Sequence, residues 1–306
     1  MLRSLSAAAT CLRVLPLAAP LLFAAPAHAQ QGLKVYISVD MEGVVGVVTS
    51  DQLGPAGFEY QRFRELMTAE VNAAITAARE AGATEILVSD SHGNGENLLI
   101  ERLPADIQLV RSWPRPLMMM QGIDESFDAV LLIGYHASTD NPRGVRAHTM
   151  SSANLTGIRL NGRPMPEAGI SAAIAGDFGV PVVMISGDDA IAEEATALLG
   201  PIETAVTKWT YGFHSARTLM PEASYALIRE KVKSALDRLA SHRPFRVNGP
   251  VSMEISFKNY MPAEVLAYLP NVERVDSHTV RFVGKDMTEV SKFLEFATNY
   301  RVDLTP

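Results

Sequence analysis

Leu33-Lys34-Val35-Tyr36-Ile37-Ser38-Val39-Asp40-Met41-Glu42-Gly43 is an apolar, β-branched run that stops on two carboxylates and a glycine. It reads as a strand covered on both faces. From Phe58 to Ala81, the residues Phe63, Leu66, Met67, Glu70, Val71, Ala74, Ile75 and Ala78 recur at helical spacing, with Gly82 as a stop. A second buried strand, Thr84 to Ser89, comes next and ends in Asp90-Ser91-His92. Strand, long helix, strand is a βαβ unit, which predicts an α/β fold with an open, largely parallel sheet flanked by helices.

Outward from that unit, Asp128 to Tyr135 and Val180 to Ser186 are further buried strands, and Asn161-Gly162 marks a tight hairpin. Asp188 to Leu199 and Pro221 to Leu239 read as helices. After His242-Arg243-Pro244 the pattern turns to strands at Pro250 to Phe257 and His278 to Val283, with helices at Pro262 to Leu269 and Asp286 to Asn299. The expected organisation is an α/β metal-binding catalytic domain over residues 30–200 and a smaller C-terminal α+β lobe over residues 201–306.

Open α/β sheets bind ligands at the carboxyl ends of their strands. The first strand delivers Asp40 and Glu42 there, on one side if the chain stays extended. The second delivers Asp90 and His92, and a third ends in Gly134-Tyr135-His136. Taken singly, an aspartate after a strand is a turn former and a histidine is a packed side chain. Together they form a set of carboxylates and imidazoles without a thiolate, suited to zinc, with manganese as the harder alternative. His148 lies in a loop-like stretch as a general base, a charge stabiliser or a surface residue. Glu167, after Arg163-Pro164-Met165-Pro166, reads on its own as an acidic residue favoured at a helix start.

The chain has 306 residues, 47% hydrophobic and 20% charged, with 27 basic and 34 acidic side chains and no long run of like charge. That excludes a disordered tail and argues against a nucleic-acid partner. Residues 1–29 carry Arg3, Arg13, an apolar stretch from Val14 to Ala25 and Ala27-His28-Ala29. They read as a secretory signal peptide cut after Ala29, too short and proline-broken to span a bilayer. Cleavage predicts a periplasmic or secreted protein with no membrane attachment. Cys11 and His28 leave with the leader, so any metal in the mature chain is held by oxygen and nitrogen.

Ser38 to Gly43, Asp90-Ser91-His92, Gly134 to Ala137, His148-Thr149-Met150, Glu167 and Ser186-Gly187-Asp188-Asp189, in that order, resemble the D-aminopeptidase family of zinc metallopeptidases associated with dipeptide transport. The resemblance implies an aminopeptidase with two zinc ions per chain that removes N-terminal D-amino acids such as D-Ala from short peptides. It implies a ring-like homo-oligomer, a decamer. It places metal ligands at Asp40, Glu42, His92, His136 and Glu167, with Asp40 as the bridge, and the catalytic histidine at His148. Two positions depart from the family pattern: Pro166 stands where a small residue is expected, and Phe213-His214 replaces a Gly-Arg-like pair.

Two other classes share these features. One is a different binuclear metallohydrolase, cleaving amides or phosphoesters, for which Arg143, Arg146 and Lys208 are the basic candidates. The other is a periplasmic metal- or peptide-binding protein without turnover.

Overall fold

A computed structural model describes Met1, Leu2 and residues 32–300. The predicted signal peptide therefore lies outside the described residues, apart from its first two. The elements in chain order are β1 (Leu33–Val39), α1 (Tyr60–Glu80), β2 (Ala83–Asp90), β3 (Gln108–Val110), β4 (Ala129–Tyr135), β5 (Leu155–Leu160), β6 (Arg163–Pro164), α2 (Glu167–Asp177), β7 (Val182–Asp188), α3 (Asp189–Leu199), β8 (Glu203–Gly212), β9 (Ser215–Thr218), α4 (Pro221–Asp237), β10 (Val251–Phe257), α5 (Tyr260–Leu266), β11 (Val272–Arg274), β12 (Thr279–Gly284) and α6 (Met287–Asn299).

Seven strands form the main sheet in the order β3-β2-β1-β4-β7-β8-β9, parallel throughout except for the antiparallel β8–β9 pair. The fold is the expected α/β architecture with helices on a largely parallel sheet. Alternation along β1 explains why the sheet is covered twice. Val35, Ile37 and Val39 join one core with Met67, Val71 and Ile75 of α1 and Ile228 and Val232 of α4. Tyr36 faces the opposite core, which contains Ile170 and Ile174 of α2 and Met253 and Ile255 of β10. Each fully buried side chain of this size contributes about 1.5–3 kcal/mol of burial free energy.

The second sheet, β11-β12-β10-β5-β6, is antiparallel. Along β10 buried and half-buried residues alternate, as they do when one face packs on a core. The β5–β6 hairpin turns at Asn161 (φ +47°) and Gly162 (φ +79°), the two positive angles that the sequence pair predicts. The two sheets interleave along the chain: β5 and β6 precede α2 yet pair with β10, while β8, β9 and α4 follow residue 200 yet complete the first sheet. The described residues from Gly32 onward fall in one compact unit.

Candidate metal centre

The main sheet reverses its winding at β1. Strands β2 and β3 are added on one side of it, and β4, β7 and β8 on the other. That switch point leaves a crevice beyond the carboxyl ends of β1 and β4, where loops diverge to either side. Val39 lies level with Asp90 of β2 and with Ile133 of β4, so Asp40, His92 and His136 emerge on one rim.

Two glycines let these strand ends approach. A Cβ at Gly134 would lie 2.3 Å from the Asp40 carbonyl oxygen, and one at Gly43 would lie 2.1 Å from that of Tyr135. Gly134 also takes φ +71°, in a stretch where the β4–β7 register shifts. The backbone bends there and turns His136 toward Asp40.

All six residues expected from the sequence come together. His92 Nδ1 lies 3.1 Å from Asp40 Oδ1 and 2.8 Å from Glu42 Oε2. His136 Nε2 lies 3.2 Å from Asp40 Oδ2 and 3.4 Å from Glu167 Oε1. His148 Nε2 is 3.7 Å from Glu167 Oε1, and its ring stacks on His136 with centroids 4.1 Å apart. Asp40 thus stands between two groups, presenting one oxygen to each.

Each imidazole is oriented by a carbonyl, which can only accept. His92 Nε2 donates to Leu53 O (2.7 Å), His136 Nδ1 to Ala137 O (3.0 Å) and His148 Nδ1 to Arg146 O (2.7 Å). In the neutral tautomer this leaves the lone pair of the other nitrogen facing the carboxylates, as happens in metal-binding histidines whose far nitrogen donates to a carbonyl. Asp40 Oδ2, Glu42 Oε2 and His136 Nε2 are buried without a hydrogen-bond partner. Orphaned oxygens and nitrogen at one point are costly unless something binds them, and a divalent cation fits that donor set. Asp40, Glu42 and His136 offer one group of ligand atoms, and His136, His148 and Glu167 another.

The electrostatics agree. Burial and the adjacent Glu42 charge push Asp40 above the usual carboxylate range. Burial also opposes ionisation of Glu42, but His92 and His136 outweigh it and hold Glu42 well below that range. Glu167 is lowered by His136 and His148 against the same burial penalty. His92 and His136 rise well above the ordinary imidazole value because facing carboxylates outweigh their desolvation. Without a cation, protons supply the positive charge. A metal would displace them, so its affinity would rise with pH.

The surrounding loops are held by groups that the strand-end argument assigns differently or passes over. Asp90 is fully buried, but its oxygens accept from Asn97 N (2.6 Å), Leu98 N (2.7 Å) and Asn97 Nδ2 (2.8 Å). It shapes the loop after His92 and does not face the cluster. Lys208, a candidate anion contact in the sequence, is buried under the rim, where Nζ donates to the carbonyls of Glu42, Val44 (3.1 Å) and Val47 (2.7 Å). It fixes the loop that carries Glu42.

Asp188 accepts from Ile191 N at the start of α3 (2.9 Å) and from Val145 N (2.7 Å), tethering the His148 loop. Arg146 and Met150, two residues to either side of His148, take φ of +55° and +63°. Such strain in non-glycine residues persists only where neighbours impose it. Here Arg146 N donates to Phe213 O (3.0 Å) and Met150 N to Glu167 Oε1 (2.6 Å). Pro166, with φ −70° and ψ 165°, precedes α2 and places Glu167 in its first turn.

A sequence model of the D-aminopeptidase family matches residues 33–296. The chain belongs to the D-aminopeptidase family. A family relative, the D-aminopeptidase of Bacillus subtilis (strain 168), is 36% identical over 261 residues, which span 84% of this chain and 93% of that protein. Among solved structures, the Zn-dependent D-aminopeptidase DppA from Bacillus subtilis, described as a self-compartmentalizing protease, superposes with a TM-score of 0.83 at 34% identity. The match covers 89% of this chain and 100% of that one. Family membership and the donor set of the rim thus point to the same chemistry.

Proposed function

We propose that this chain is an exported metallo-aminopeptidase that binds two zinc ions and releases N-terminal D-amino acids, such as D-Ala, from short peptides. The observation that carries the reading is the arrangement of the three carbonyl-oriented histidines around three buried carboxylates. The D-stereospecificity rests on the family. Asp40, Glu42, His92, His136 and Glu167 would hold the metals, with Asp40, which stands between His92 and His136, as the shared ligand. Zinc, when bound, supplies Lewis-acid polarisation of a peptide carbonyl and lowers the pKa of water.

The chain's own residues supply the rest. The strand ends of β1 and β4 fix the ligand set on rigid backbone. His148 Nε2 faces the cleft from an imbedded loop, with its other nitrogen committed to Arg146 O, so it can hold a proton and deliver it to the departing amine. Of the three basic candidates for a phosphoester substrate, Lys208 spends its protons on carbonyls, Arg143 pairs with Glu193 and Arg146 covers the ring of Phe213. None of these three lines the cleft. The relative's self-compartmentalizing character supports a ring-like homo-oligomer, a decamer by family resemblance. The leader of residues 1–29 supports export to the periplasm or beyond.

Metal analysis of the purified mature chain, combined with hydrolysis of matched D- and L-alanyl dipeptides, tests the reading. Two zinc per chain and D-selective release are expected; protein that stays inactive when loaded with zinc refutes it. His148→Ala should keep both metals and lose turnover by about a hundredfold or more, the scale of general acid–base assistance. Wild-type rates in that variant would remove His148 from the reaction.

A further inference from the structure

The cleft above the cluster encloses about 920 Å³, near the upper end for small-molecule sites. The metal-ligand candidates Asp40, Glu42 and Glu167 line it together with apolar Trp113 and Met119 and the amide of Asn154. Among the lining residues there is one Lys or Arg side chain, that of Lys258.

Lys258 follows the last residue of β10, and its place is fixed through both backbone and side chain. Its N–H donates to Asn154 O at 2.8 Å, and its ammonium donates to Ser152 O at 2.5 Å. Ser152 and Asn154 belong to the segment that runs from His148 into β5. That side-chain bond is the one partner of the ammonium among the described residues, so two of its three protons remain for a ligand. Lys258 is exposed, and the tether fixes where its ammonium stands at the cleft. A lysine that must meet an anion at a set point gains preorganisation.

We propose that Lys258 binds the free C-terminal carboxylate of the substrate, making the cleft selective for short, zwitterionic peptides. The proposal rests on the aminopeptidase reading above. In an aminopeptidase the N-terminal residue must lie at the metal ligands Asp40, Glu42 and Glu167, so the other end of a short peptide, a carboxylate, is left to the rest of the cleft, where Lys258 is the one Lys or Arg side chain of the lining. A longer chain or a C-terminal amide would leave the lysine without its charged partner.

The test compares D-Ala-D-Ala with its C-terminal amide on the zinc-loaded full chain, in the wild type, Lys258→Gln and Lys258→Arg. The wild type should favour the free acid by about tenfold in kcat/KM, the size of one charge-assisted hydrogen bond. That ratio should fall toward one in Lys258→Gln and be kept largely in Lys258→Arg. Equal use of both peptides by the wild type overturns the proposal, as does a Lys258→Gln variant that keeps the preference or loses both activities in parallel. Hydrolysis of neither peptide by the wild type overturns the aminopeptidase reading itself, and this proposal with it.

Discussion

Asp40 and Asp90 end neighbouring strands of one sheet, a single register step apart, and both are buried, yet they do opposite work. Asp90 has three donors from Asn97 and Leu98 folded onto its oxygens. Asp40 receives one backbone N–H, from Met41 at 2.8 Å, and turns its remaining capacity toward His92 and His136, with Oδ2 left without a hydrogen bond. The residue type and its place at a strand end do not separate a structural carboxylate from a ligand. What the following loop offers separates them: a loop that closes back brings amides, and a loop that opens leaves the charge for something else.

The same substitution at the two positions should therefore split activity from stability. Asp40→Asn keeps the shape and removes the anion between the two histidines. Zinc retention should fail, and kcat/KM should fall on the order of a thousandfold, the scale of losing one strong charge-stabilising group. The melting temperature of the metal-free protein should hold or rise, because Asp40 and Glu42 repel across a buried site. Metal analysis, dipeptide hydrolysis and thermal melts check this; a large drop in the metal-free melting temperature would make Asp40 structural after all.

Asp90→Asn should do the reverse. Its amide would point N–H groups at donors that now reach a carboxylate, costing about 3 kcal/mol of stability. For a chain of this size that lowers the melting temperature by roughly 6–12 °C. Activity at low temperature should survive in the fraction that stays folded with zinc. Loss of zinc without loss of stability would place Asp90 among the ligands and erase the contrast.

The contrast also explains what the sequence could tell. The βαβ opening, the parallel sheet and the strand-end positions of Asp40, His92 and His136 follow from local pattern, because a strand's exit is written in the residues that form it. Glu167 and His148 came from family resemblance; their residues alone read as a helix-dipole partner and a loop histidine. The different task of Asp90 depends on Asn97 and Leu98, which no spacing rule links to a strand end. Lys208 shows the limit most sharply. It reads as a free cation, but the carbonyls it grips lie more than 160 positions earlier in the chain. The membership of β5 and β6 in the second sheet was hidden for the same reason, since their partner β10 lies far along the chain.

Glu70 gives the third and smallest test, because it shows that an orphaned carboxylate oxygen alone does not make a metal site. Its Oε1 accepts from Val45 N (3.1 Å) and Ser224 Oγ (2.8 Å), while Oε2 is buried without a partner, as Asp40 Oδ2 is. Among the described residues no imidazole bonds to it. Desolvation pushes its pKa up to about 7, only partly offset by those two bonds and by Lys208. Between about pH 4.5, where the unfolded chain loses this proton, and pH 7, the native state binds more protons than the unfolded one, so this group lowers stability as pH rises. Glu70→Gln keeps the Oε1 acceptor and removes the titration. From pH 5 to pH 7 the wild type should lose about 2 kcal/mol relative to this variant, at 1.36 kcal/mol per unit. Denaturant melts of both proteins at the two pH values measure that difference. A pH-independent difference would mean that Glu70 stays ionised, and only the company of histidines, not burial, would then distinguish it from Asp40.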